Sequence, residues 1–179
     1  MAAMRTLLLG LLVVPFLVSA KSSTLGPPPL AGPSPQVQPQ TGTQQPDDNR
    51  QGREQAEEGI KHMLVSQIEA WNQGKLEVFV QGYWHSPELT FFSGATITRG
   101  WEPTLQRYRE RYKSQGKEMG QLQFQDLNID VLDRKSAVVT GKFQLTMSNG
   151  GTPHGLFTLI VKRMPGGWRI VHDHTCAAE

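Results

Sequence analysis

A chain of 179 residues with 37% hydrophobic residues and a formal charge of +2 has the size of one domain with one modest core. A balance of 18 Lys and Arg against 16 Asp and Glu excludes a dominant electrostatic partner, and no nucleic-acid surface is expected. Cys176 is the only cysteine, which excludes an internal disulfide and leaves a small packed residue or one half of an interchain bridge.

Residues 1–20, MAAMRTLLLGLLVVPFLVSA, set Arg5 ahead of an apolar run, Thr6 to Val18, that closes on Val18-Ser19-Ala20. That is the pattern of a secretory signal peptide cleaved after Ala20, and it implies a secreted or periplasmic protein. The run falls short of the ~20 apolar residues that span a bilayer, and Pro15 interrupts it. No membrane association after cleavage is expected. Residues 21–52 are rich in Pro, Gln, Ser and Gly and almost free of large apolar groups, so they read as a disordered linker. The folded domain is then residues 53–179.

Arg53 to Asn72 carries Ile60, Met63, Leu64, Gln67, Ile68 and Trp71 at three- and four-residue steps, which predicts a long helix stopped by Gly74. Lys75 to Trp84 reads as a shorter second helix. Leu89 to Phe92 and Ala95 to Arg99 flank Ser93-Gly94 as a small hairpin. Pro103 opens a third helix with Leu105, Tyr108 and Tyr112 on its apolar stripe. Its Arg107, Arg109, Arg111 and Lys113 read as a solvated face.

The pattern then changes to strands. In Gln121 to Leu132 the apolar parity slips between Phe124 and Leu127, which predicts a β-bulge near Gln125-Asp126. Ser136 to Met147 alternates, Asn149-Gly150 is a hairpin turn, and His154 to Arg163 is apolar on both faces. The last strand, GWRIVHDHTC from Gly167 to Cys176, also has apolar residues on both faces and belongs in the middle of the sheet. Three helices and a hairpin followed by four long strands give an α+β fold, a strongly curved antiparallel sheet packed on a long N-terminal helix and two shorter ones.

WNQG at Trp71 to Gly74, the short strand ending at Gly100 before a Tyr-bearing helix, AVVTGKF at Ala137 to Phe143 and GGWRIVHDHT at Gly166 to Thr175 occur in that order. Together they resemble the SnoaL-like, nuclear transport factor 2-like superfamily over about Glu57 to Cys176. Within it, they are similar to small bacterial domains of undefined function related to the association domain of calmodulin-dependent kinase. The resemblance implies a cone-shaped sheet with a pocket inside and a homodimer formed through the sheet. It also implies a site. The pocket face would carry Val171, Asp173 and Thr175 with Thr158 from the neighbouring strand, while His172 and His174 look outward. That family's pocket arginine is replaced by Thr175, so its preference for acidic ligands is not transferred.

Asp173 is the central candidate, for binding a small molecule or for acid–base catalysis, with Arg99 as a possible ion partner. Trp71, Tyr83, Trp84, Phe92, Trp101 and Tyr108 are candidates for the apolar walls. The tyrosine and the two carboxyl groups used by ketosteroid isomerases of this superfamily are replaced: the tyrosine position falls near Gln67, the base position at Phe92 or Ser93, and the second acid near Ile160. His172-x-His174 has no spaced third ligand, so no metal and no cofactor is expected. The sequence therefore points to an exported domain that binds an unidentified small molecule, with an isomerase-, lyase- or hydrolase-type enzyme using Asp173 as the alternative.

Overall fold

The computed structural model describes residues 46–114 and 117–178. The expected signal peptide and residues 21–45 of the linker lie outside the described residues. Helix α1 spans Pro46–Asn72 and so begins ahead of Arg53, which corrects the reading of residues 46–52 as linker. Composition misled there because the stabilising partners are remote. Arg53 donates to the carbonyl of Val131 at 2.8 Å, and Asp48 meets Arg134 at 2.8 Å.

Ala56, Ile60, Met63, Leu64, Gln67, Ala70 and Trp71 form the buried stripe of α1, which lies across the sheet. Gly59 lets helix and sheet approach closely, because a Cβ there would lie 2.8 Å from the ring of Trp168. At the far end of the helix, Asn72 imitates a strand partner: its Oδ1 accepts from Leu122 N at 2.6 Å and its Nδ2 donates to Leu122 O at 3.1 Å. Trp71 Nε1 donates to the carbonyl of Met119 at 3.1 Å. The WNQG string is thus a clamp between the helix end and the first long strand.

The expected second helix is shorter, α2 at Leu76–Phe79 with a 3-10 turn at Val80–Gly82. Tyr83 is already extended and bridges to Ile170. Strands β1 (Thr90–Ser93) and β2 (Thr96–Arg99) form the small hairpin, and α3 is Trp101–Tyr112. Gly100, at φ 93°, makes the turn into α3.

Strands β3 (Gln121–Asp133), β4 (Ser136–Thr146), β5 (His154–Met164) and β6 (Gly167–Ala177) complete an open, curved six-stranded sheet in the order β2-β1-β6-β5-β4-β3. The sheet is mixed rather than wholly antiparallel. The tight β5–β6 turn fixes the direction of β6, which enters beside β1 running parallel to it. The bulge in β3 lies between Gln125 and Asn128, with Asp126 at φ 51°.

A second bulge decides the site. Ile160 pairs with His172 but Val161 with Ile170, so Val171 is an extra residue in β6. Strict alternation would set Trp168 and Ile170 on the face of His172 and His174. Instead the parity flips at Val171, and Trp168, Ile170 and Asp173 are all buried on the helix-covered side. Apolar residues on both faces of this strand are therefore the mark of a bulge within one core-facing series, as well as of a central position.

Candidate functional site

Cross-strand partners share a face, so the register of β6 fixes the surroundings of its side chains. Asp173 lies between Phe91 and Leu159, and Thr175 between Ser93 and Phe157. These residues, with Trp71, Phe79, Tyr83, Tyr108 and Tyr112 from the helical side, border a cavity of about 120 Å³ between sheet and helices. Trp71 meets Phe79 and Tyr112 edge-on, with ring centroids 4.9 and 4.8 Å apart, and Phe91 stacks on Tyr108 at 5.7 Å.

Into these rings projects one carboxylate. Asp173 is 3% exposed, its Oδ2 accepts the Tyr83 hydroxyl at 2.7 Å, and its Oδ1 accepts the Thr175 hydroxyl at 2.6 Å. Tyr83 Oη also lies 3.0 Å from Tyr108 Oη. When the Tyr83 proton points to Asp173, its oxygen accepts from Tyr108, and the chain runs Tyr108 to Tyr83 to Asp173. Gln67 sets up this arrangement by donating to the carbonyl of Phe79 at 3.1 Å, which braces the turn leading to Tyr83. Gly82 leaves room for it, since a Cβ there would come 2.5 Å from the Gln67 amide carbon.

Burial pushes the Asp173 carboxyl up to about 6, against the opposing hydrogen bonds from Thr175 and Tyr83 and the charge of His174. Burial, reinforced by the Asp173 charge, holds the Tyr83 and Tyr108 hydroxyls well above the ordinary tyrosine range. Near neutrality the tyrosines are donors, and Asp173 is the member of the chain whose charge can change.

Of the candidate residues, Asp173, Thr175, Tyr83, Trp71 and Tyr108 border the cavity. Thr158, Phe92, Arg99 and Trp101 do not, and Val171 is taken out of the lining by the bulge. Thr158 pairs with His174 on the outer face. Phe92 also pairs with His174 and packs edge-on against His172, because the β1–β6 register turns Phe91 inward instead. Arg99 is exposed on β2 opposite Thr90 and has no contact with Asp173. Trp101 donates to the carbonyl of Val80 at 3.0 Å and lies against His85, bracing α3 from outside. Trp84 uses its backbone N–H on Ile170 O at 2.8 Å and lies outside the lining too. His172 faces outward with Nδ1 2.7 Å from Thr90 Oγ1. Burial, then the neighbouring His174, lowers its pKa.

Sequence reasoning missed Phe91, Phe157, Leu159, Arg107 and Arg111 in the cavity lining. The first three depend on register. The two arginines correct the picture of a uniformly solvated α3 face: Arg109 and Lys113 do face outward, paired with Glu77 at 3.3 and 3.2 Å, while Arg107 and Arg111 border the cavity. Among the described residues no cluster of three or more His, Cys, Asp or Glu side chains forms a metal-type site.

The family pattern of the SnoaL-like domain matches residues 47–178, which include every element of this site. The chain belongs to the SnoaL-like family. Among solved structures, this SnoaL-like domain is similar to an NTF-2-like protein of unknown function from Shewanella oneidensis MR-1. The identity is 34% and the TM-score 0.62, over 66% of this chain and 97% of that one. It is also similar to a putative calcium/calmodulin-dependent protein kinase II association domain from Xanthomonas campestris, at 17% identity and TM-score 0.54 over 66% and 85% of the two chains. A Catenulispora acidiphila protein solved in complex with S-DNPA shares the fold at 15% identity and TM-score 0.55, over 66% and 90%. No curated protein matches the chain.

The raised Asp173 pKa makes a stability prediction. The folded state holds a proton that the unfolded state, near 3.8, releases, so its stabilising effect is complete below 3.8 and is lost as pH rises through about 6. The shift corresponds to about 3 kcal/mol at most. Asp173→Asn keeps the shape and removes the charge. Urea unfolding is expected to show the variant more stable than wild type by about 1–3 kcal/mol near pH 8, with the gap closing near pH 4. A variant less stable than wild type near pH 8 would contradict the placement of an ionised acid in this cavity.

Proposed function

We propose that this SnoaL-like domain is exported and receives a small, partly apolar ligand in the cavity, where Asp173 engages the ligand's polar group. The observation that carries this reading is the buried carboxylate beside a hollow. A buried ion is costly for folding, and apolar residues would fill the same space at no such cost. Each oxygen of Asp173 accepts one internal hydrogen bond and retains capacity for another. The complex of the Catenulispora acidiphila protein with S-DNPA is in keeping with a fold that takes guests.

Acid–base catalysis is a second reading, favoured by the relay of Tyr108, Tyr83 and an Asp whose pKa of about 6 suits a general base near neutrality. One set of measurements separates the two. Native mass spectrometry of exported protein is expected to show a polypeptide beginning at Lys21 with a stoichiometric small-molecule adduct that Asp173→Asn loses while remaining folded. Turnover of a hydroxylated or carbonyl compound that falls below about pH 6 in wild type and collapses in Asp173→Asn with affinity retained would favour the enzyme. A folded wild type that carries no guest and converts none contradicts both.

The outer face of the sheet serves a second copy of the chain in this proposal. Ile97, Leu156 and Ile160 are 55%, 60% and 37% exposed there, around Phe92, His172 and His174. Phe92, Thr158, His172 and His174 at its centre carry no carboxylate or lysine, while Lys142, opposite Leu156 and paired with Asp126, lies at its rim, a division that suits a self-complementary interface. The association-domain name of the Xanthomonas campestris relative is consistent with it. Light scattering during size exclusion is expected to give twice the chain mass, and one chain mass for Leu156→Asp combined with Ile160→Asp. A monomeric wild type would overturn the assignment.

A further inference from the structure

Helix α3 divides its four cations between two tasks. Arg109 and Lys113 share Glu77 on the exposed side. Arg107 and Arg111 border the cavity, and among the described residues no carboxylate pairs with either. The Arg107 guanidinium lies 5.4 Å from the centroid of the Phe91 ring, and that of Arg111 lies 5.7 Å from the Tyr112 ring. Both rings are cavity walls. Arg111 is exposed and Arg107 half-buried, whereas Asp173, Tyr83, Phe157 and Leu159 are buried, so the cations stand at the mouth and the acid at the floor.

A guest that satisfies this arrangement is polar at both ends and apolar between. Its outer end is anionic, since two unpaired guanidinium groups offer the planar, charge-assisted donors that carboxylates accept. Its inner end is uncharged, because a second anion would face ionised Asp173 and an ammonium would lose its hydration in a ring-lined hollow. A hydroxyl there donates to the remaining acceptor capacity of an Asp173 oxygen, since the protons of Tyr108 and Tyr83 are already used within the chain. The volume bounds the middle: about 120 Å³ lies just below the ~150 Å³ of an apolar cavity that takes one benzene, so the hollow has room for no more than one six-membered ring, with the charged end outside at the mouth.

Resting on the reading of the cavity as a ligand site, we infer that its guest is a single-ring carboxylic acid bearing a hydroxyl distal to the carboxylate, with the carboxylate held by Arg107 and Arg111. This acid preference comes from α3 and is independent of the last-strand position where Thr175 replaces the kinase-domain arginine.

The test is calorimetric titration of the whole domain with para-hydroxyphenylacetate and, as a neutral match, its primary amide, at low salt. Wild type is expected to bind the acid at least about tenfold more tightly than the amide. Arg107→Gln combined with Arg111→Gln, with an unchanged circular dichroism spectrum, is expected to bring the acid to the level of the amide and leave the amide within about twofold. Equal binding of acid and amide by wild type, or a preference that survives in the double variant, overturns the charge assignment while the amide's binding upholds the cavity as a site. Binding of neither compound overturns the inference, and the ligand reading is then decided by the stoichiometric adduct of the exported protein.

Discussion

The hydrogen bond from Tyr83 to Asp173 joins parts of the chain 90 residues apart, and the architecture around it serves to bring those two groups together in a hollow. Tyr83 comes from the segment between the short helices and the hairpin, and Asp173 from a central strand. For them to meet, the turn before Tyr83 must be held against α1, which Gln67 does through the Phe79 carbonyl. The last strand must also carry its acid inward, which the extra residue at Val171 does. Either condition alone leaves the acid without its partner.

Those conditions explain features that seem unrelated in the sequence. Gly82 accommodates the Gln67 side chain, and Gly59 allows the first helix to settle on Trp168, above the same strand. Asn72 and Trp71 clamp the other end of that helix to β3, which keeps the rings of Trp71, Phe79 and Tyr112 at the cavity rather than collapsed into it. Among the described residues every buried side-chain polar atom has a hydrogen-bond partner, so the acid is not a packing error.

Much of this was legible in the chain. The apolar stripe of α1, the hairpin at Ser93-Gly94, the bulge near Asp126 and the mixed helix and strand order all follow from periodicity and turn chemistry. What escaped depends on contacts remote in sequence. The start of α1 rests on Val131 and Arg134, the parallel β1–β6 pairing on where the last strand finds room, and the inward turn of Phe91 on that pairing. The bulge at Val171 hid in plain view: Trp168 and Ile170 in one parity and Asp173 and Thr175 in the other already require a shift if all four face the helices. The α3 arginines were unreadable for a different reason. A helix with a charge at nearly every other position has no polar face distinct enough to show which cations look inward.

Asp173 thus appears as a carboxylate whose ionisation is displaced by its surroundings and tied to two tyrosines. Carbon-detected nuclear magnetic resonance of the labelled Asp173 carboxyl across the acid range reads that displacement at the atom itself, with Asp173→Asn assigning the signal. A midpoint near 6, moving when Tyr83→Phe removes the donor, is the result the structure predicts. A midpoint at the ordinary aspartate value near 3.8, indifferent to Tyr83, would mean that the acid is solvated and that the cavity is not built around it.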